Sequence, residues 1–195
     1  MKRNFELLMQ EQLKEAPKGA KLLLHSCCAP CSSACLVRLK EYFSVTVLYY
    51  NPNIDDREEY EKRKAEQIRF LKETGWADFL DCDHEVERFE EMALGLESEP
   101  ERGTRCYACY ALRLEKTGAM AKEKGFEYFA TTLTLSPYKN AEWLNEIGEK
   151  VGGRYEVNYL YNDFKKKGGY HRSIELSSQY GLYRQDFCGC RFSRR

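Results

Sequence analysis

Seven cysteines fall into three short groups: Cys27, Cys28 and Cys31, then Cys106 and Cys109, then Cys188 and Cys190. Thiolates bind soft metals and carry redox chemistry, and without an export signal clustered thiols serve those ends more often than crosslinks. Nine cysteines among 195 residues is an odd count, and it stays below the roughly 8–10% of a disulfide-stapled scaffold. A zinc ribbon would hold two pairs about 15–20 residues apart. Here the groups are spread over most of the chain, so only tertiary structure can bring them to one place. Four thiolates suit a [4Fe–4S] cluster or zinc and leave three for a second metal or for redox work. The residue types alone leave that choice open.

The elements that must position these sulfurs follow from the apolar periodicity. Residues 21–25 read as a short strand feeding Ser26-Cys27-Cys28-Ala29-Pro30-Cys31, after which Ala34, Leu36, Leu39 and Phe43 recur at helical spacing. Pro30 suits a first helical turn, where its missing N–H costs nothing, and Cys31 in that turn would gain thiolate character from the helix dipole. No glycine lies between His25 and Ser33, so the turn presents thiols and not the backbone cradle of a phosphate loop. Strands are expected at residues 45–50, 78–82, 126–133 and 155–161, with helices at 57–74, 84–94, 106–124, 141–151 and 170–182. Cys106 and Cys109 would share one face of their helix with Arg113. Gly189 would let Cys188 and Cys190 fold toward one point.

Strands alternating with helices predict a single α/β domain, a mostly parallel sheet with helices on both faces. Residues 1–20 would form an N-terminal helical extension and 163–195 a C-terminal segment closing the metal site. Ligands of such sheets bind where strands hand over to helices, which is where the first cysteine group falls. Thirty-one basic residues balance 31 acidic ones, so nucleic-acid binding driven by net charge is excluded and any such contact must be a local patch. Lys165, Lys166, Lys167, Arg172 and Arg191, with Arg194 and Arg195, are the candidates for phosphate contacts. No apolar run approaches the roughly 20 residues of a membrane span, and residues 1–14 lack a secretory pattern. A cytoplasmic protein is expected.

His25, at the end of the first strand, either donates to a bound sulfur or oxygen or completes a polar network. Cys35 and Cys82 read as isolated thiols outside the site, and His84 and His171 as helix-start or surface residues. Several tyrosines, Tyr138 and Tyr170 among them, are able to stack on a nucleobase.

Six stretches together carry a resemblance: residues 25–31 (HSCCAPC), 50–54 (YNPNI), 105–110 (RCYACY) followed by Arg113-Leu114, 131–137 (TTLTLSP), 163–166 (DFKK) and 183–190 (YRQDFCGC). The chain resembles the cobalamin-independent epoxyqueuosine reductases, the QueH family, from about residue 21 to 193. The resemblance implies a Rossmann-like fold similar to the adenine nucleotide α-hydrolases. It implies reduction of the epoxide of epoxyqueuosine, at the wobble position of tRNA, to the alkene of queuosine. It also implies a [4Fe–4S] cluster, an additional iron and an external electron donor. Some members carry aspartate at the position of Cys31, so the cysteine here suggests an all-sulfur ligand set. On this reading Cys28, Cys31, Cys106 and Cys109 hold the cluster, Cys27, Cys188 and Cys190 hold the second iron, and Cys27, His25, Cys188 and Cys190 serve catalysis. The alternatives are an ATP-dependent tRNA-thiolating enzyme with its own cluster and a non-catalytic zinc protein.

Overall fold

The computed structural model describes residues 3–193. Five parallel strands, β1 (Ala20–His25), β2 (Phe43–Leu48), β3 (Asp78–Leu80), β4 (Tyr128–Thr131) and β5 (Asn158–Tyr159), form one sheet in the order β3-β2-β1-β4-β5. The helices are α1 (Phe5–Glu15), α2 (Ala29–Leu39), α3 (Arg57–Thr74), α4 (Val86–Ala93), α5 (Thr104–Glu123), α6 (Ala141–Tyr155) and α7 (Gly169–Gln179). Successive β1 side chains point to opposite faces, and both faces are covered. Leu22 and Leu24 pack with Met9, Leu36, Phe70 and Leu176, while Leu23 packs with Leu114, Phe129 and Ile147. This burial on two faces explains why β1 reads as an unbroken apolar run. The expected parallel α/β sheet with helices on both sides is the one observed.

The strand order places the topological switch at the carboxyl ends of β1 and β4, the position where such sheets bind ligands. His25 and Thr131 are register partners there. The chain leaves β1 through the cysteine turn into α2 and leaves β4 through a 3-10 turn at Thr132–Leu135. β4 was expected to run to residue 133, but it stops at Thr131 because the Thr131 hydroxyl caps the Leu133 amide at 3.2 Å.

Other boundaries also differ from expectation: Phe43, read as the last apolar position of the helix after the cysteine turn, opens β2, and α2 ends at Leu39. α6 continues through Gly152-Gly153 to Tyr155 and is terminated by Glu156 in the left-handed conformation. Gly152 is there for packing, since a Cβ on it would lie 2.8 Å from the Val157 carbonyl oxygen. β5 is only two residues long, shorter than the strand expected at 155–161. Among the described residues, no helix is long and apolar enough to cross a membrane.

Candidate metal centre

The turn after β1 is held by hydroxyls and one amide. Ser26 and Ser32 donate to Gln67 Oε1 at 2.8 and 3.1 Å, and Ser33 donates to the Pro30 carbonyl at 2.8 Å. Cys28 occupies the N-cap of α2 in extended conformation, with no side-chain cap on the helix. The sulfurs of Cys27, Cys28 and Cys31 lie within 4.8 Å of one another, those of Cys27 and Cys28 at 3.7 Å. A tetrahedral ion with ligands about 2.3 Å away holds its sulfurs roughly 3.8 Å apart, so this triad is spaced for one ion. Cys27 also sits 3.9 Å from the Thr132 hydroxyl, across the switch point.

The triad shares its charge unevenly. Hydrogen bonds from Cys28 and Cys31, helped by Arg113 and Lys139, hold the Cys27 thiol well below its ordinary value. Hydrogen bonding to Cys27 together with burial pushes Cys28 up to about 12, and Cys31 is raised well above the usual range by the same pairing. Negative charge is thus favoured on Cys27 over its two neighbours, and an ion seated there would take all three as thiolates.

The other four cysteines converge from two segments. Cys106 and Cys109 project from the first turns of α5, whose entry loop is tied by Arg105 Nη1 to the carbonyls of Leu96, Glu97 and Glu99 at 2.7–3.1 Å. Cys188 and Cys190 come from the C-terminal segment, which is anchored on α3. Arg63, buried and paired with Glu59 at 2.6 Å, donates to the carbonyls of Cys188 and Phe187 at 3.1 and 3.4 Å. Tyr183 reaches Glu59 and Glu66 through its hydroxyl and amide. Gly189, at φ +121°, brings the chain so close to the turn before α3 that a Cβ would lie 2.7 Å from Ile54 Cγ1.

Cys106, Cys109, Cys188 and Cys190 together line one narrow hollow, with Asn53 and Lys139 in its wall. They are spread wider than a single ion requires: among the described residues only the triad forms a group within 4.8 Å. Four thiolates set around a hollow suit a cluster whose four irons each take one.

Lys139 stands between the two sulfur groups and lines both this hollow and a larger cleft of about 470 Å³ whose wall includes Cys27, Cys28 and Cys31. Its ammonium donates to Cys188 Sγ at 3.1 Å. Burial alone would raise the Cys188 thiol, but Lys139 and Arg113 outweigh it and hold the group below its ordinary value. Cys109, with no such direct ammonium, is pushed up to about 12 by burial. The cleft also carries Arg184, Tyr138, Tyr170 and Gln185, and Tyr138 at its rim is 58% exposed.

His25 is fully buried and lines neither space. A carbonyl only accepts, so the Nε2–H donates to the Tyr50 carbonyl at 2.9 Å and Nδ1 takes the Thr131 hydroxyl at 2.9 Å. Burial and the nearby Arg113 drop its pKa to about 3, so the ring is neutral. Arg113 in turn donates to Asn51 Oδ1 at 2.7 Å, and Asn51 donates to the Ser26 carbonyl at 2.9 Å. This network braces the end of β1, and its Arg113 lines the larger cleft.

The basic residues marked for phosphate contact are mostly engaged within the protein. Lys165 pairs with Asp163 at 2.5 Å, Lys167 with Glu6 at 3.8 Å, Arg172 with Glu175 at 2.7 Å and Arg191 with Glu90 at 3.1 Å. Lys166 is exposed, and Arg194 and Arg195 lie outside the described residues. Cys35 is buried in the core, and Cys82 donates to the Tyr49 carbonyl at 3.5 Å. Arg63, Lys139 and Asn53 went unmarked in the sequence. The available signals were the spacing of Glu59 and Arg63, which reads equally well as an ordinary helical ion pair, and the place of Asn53 within residues 50–54.

A family model described as epoxyqueuosine reductase QueH matches residues 22–195. A protein of Streptococcus pyogenes named epoxyqueuosine reductase QueH is 40% identical over 200 residues, covering 98% of this chain and 78% of its own. A protein of that name from Staphylococcus epidermidis is 44% identical over 180 residues, 89% of this chain and 76% of its own. One from Staphylococcus aureus is 39% identical over 200 residues, 97% of this chain and 83% of its own.

Proposed function

Because the chain belongs to the QueH family of epoxyqueuosine reductases, a family of oxidoreductases, we propose that it reduces epoxyqueuosine in the anticodon of tRNA to queuosine. Cys106, Cys109, Cys188 and Cys190 would hold a [4Fe–4S] cluster and Cys27, Cys28 and Cys31 an additional iron. This partition rests on the close spacing of the triad and on the four cysteines that line the hollow, and it departs from the one expected from sequence, which joined Cys28 and Cys31 to the α5 pair. The observation that carries the reading is the convergence of all seven sulfurs around two adjoining spaces that share Lys139 and Cys188. The donor set fits the groups: a compact sulfur triad for one ion, a wider four-sulfur hollow for a cluster, and two buried cations to offset thiolate charge.

When bound, the cluster would relay electrons and the single iron would act as a Lewis acid toward the epoxide oxygen. The chain's own residues do the rest. The reaction breaks both C–O bonds of the epoxide and consumes two electrons and two protons, giving alkene and water. The electrons come from an external one-electron donor of low potential. Arg113 and Lys139 keep negative charge favourable at the sulfurs, and Lys139 fixes Cys188 where the two spaces meet. Asn51 acts as a positioning residue by accepting from Arg113, and His25 with Thr131 fixes the end of β1 beside it. The cleft admits a base splayed from the anticodon loop, which needs no duplex opening, and Tyr138 and Tyr170 offer faces on which it can stack. Lys166 and the cations of the cleft are the phosphate contacts this reading favours, with Lys165, Lys167, Arg172 and Arg191 joining only where tRNA displaces their carboxylates.

Anaerobic incubation with epoxyqueuosine-containing tRNA and a chemical reductant tests the reading. Mass spectrometry of the digested tRNA is expected to show loss of one oxygen atom from the modified nucleoside, independent of ATP. Conversion that requires ATP, or protein that carries zinc and no iron, would overturn it.

A further inference from the structure

Two asparagines flank Pro52 in the turn after β2, and their fates differ. Asn51 is satisfied at both ends, by the Ser26 carbonyl and by Arg113. Asn53 is 1% exposed, and neither its Nδ2 nor its Oδ1 has a hydrogen-bond partner. Buried amides are almost always paired, so an orphan of this kind asks for a missing partner. Asn53 lies in the wall of the hollow formed by Cys106, Cys109, Cys188 and Cys190.

Its position is not loose. The Ile54 amide donates back to the Asn51 carbonyl at 3.1 Å, and the Ile54 carbonyl takes the His84 ring nitrogen at 2.8 Å. Ile54 is also the side chain that a Cβ on Gly189 would strike, so the turn carrying Asn53 is packed directly against the Cys-Gly-Cys segment. The amide cannot swing out to solvent without unpacking that contact.

Sulfur in a four-iron cluster, whether sulfide or thiolate, is an acceptor and carries more negative charge after reduction. A fixed N–H donor beside it therefore stabilises the reduced form. We propose that Asn53 is a positioning residue for the cluster, with Nδ2 donating a hydrogen bond to a cluster sulfur and raising its reduction potential. The inference rests on the cluster assignment above and deepens it: the hollow is built to hold a reduced, electron-rich centre.

The test uses the whole chain labelled with asparagine carrying 15N in the side-chain amide only, reconstituted anaerobically and then reduced. Pulsed electron paramagnetic resonance of the reduced cluster is expected to show a 15N coupling. Asn53→Leu, which keeps the volume and removes the donor, is expected to lose that coupling while keeping its iron and sulfide. Its reduction equilibrium is expected to fall about tenfold, a shift of about 59 mV to more negative potential for a one-electron couple. A cluster with no 15N coupling in the unsubstituted protein overturns the inference even if Asn53→Leu fails to fold. So does an unchanged potential in a loaded Asn53→Leu variant. Absence of a four-iron cluster from the unsubstituted protein overturns the assignment of the hollow, and this inference with it.

Discussion

The two sulfur groups are made in opposite ways. The triad of Cys27, Cys28 and Cys31 comes from one turn of five residues, held by Ser26, Ser32 and Gln67. The hollow needs the start of α5 and a C-terminal segment that is mostly irregular and owes its place to Arg63, Tyr183 and the missing side chain of Gly189. Local geometry sets the first at the spacing of one ion. Tertiary contacts set the second at a wider spacing. A chain built this way assembles its second site only after α3, α5 and the C-terminal segment have met, so damage to distant contacts should fall on the hollow and spare the triad.

Cysteine substitutions separate the two most sharply. Cys109→Ala is expected to abolish the four-iron cluster and turnover in a chain that remains folded. Cys27→Ala is expected to keep the cluster's absorption and sulfide while losing the additional iron and turnover. Iron and acid-labile sulfide counts on both variants check this; Cys28→Ala, at a residue the two partitions assign differently, is likewise expected to keep its sulfide, and loss of sulfide there would return the partition to the one expected from sequence.

Gly189→Ala acts one step away. With φ at +121° and Ile54 Cγ1 at 2.7 Å from the added carbon, it is expected to cost about 1–3 kcal/mol and to lower cluster loading through displacement of Cys188 and Cys190. Unchanged loading and unfolding midpoint would show that the segment is held by something other than this close approach.

On the triad side, His25 links stability to pH. Its folded pKa of about 3 lies below the unfolded value of 6.5, so the unfolded chain binds the extra proton between those limits. The stabilisation is complete above pH 6.5 and is lost as the pH falls toward 3. The urea midpoint is expected to drop over that window, and His25→Asn to flatten the slope. An equal slope in both proteins would contradict the neutral, network-bound ring.

The smallest effect lies outside both sulfur groups. Lys166→Gln is expected to weaken tRNA binding by less than tenfold and to reduce the salt slope by about 0.7, the value of one phosphate contact on a single strand. Substitution of Lys165, already paired with Asp163, is expected to change binding less than that of Lys166. The reverse ranking in binding measured across a salt series would place tRNA on the lysine loop as a whole.

What was legible in the sequence follows the same division. β1, the cysteine turn and α2 could be read because an apolar run, a proline and helical spacing adjoin one another. α3 could be read to its last residue because Asp56 caps it and Gly75 ends it in the left-handed conformation. Gly152 misled because the same residue type serves as helix stop and as close-packing site. Cys188 and Cys190 could be marked as ligands, but their company could not, since the anchor Arg63 and the ammonium of Lys139 are joined to them only in three dimensions. Asn53 lay within residues 50–54, but Asn51 and Asn53 look alike in sequence, and only burial without a partner distinguishes them.

The most direct measurement is the iron and acid-labile sulfide content of anaerobically purified protein, read together with its Mössbauer spectrum. The account predicts about five irons and four sulfides per chain, one iron spectroscopically distinct from the rest, as a four-iron cluster beside a single sulfur-ligated ion requires. Zinc without iron or sulfide, or one uniform set of irons, would contradict it.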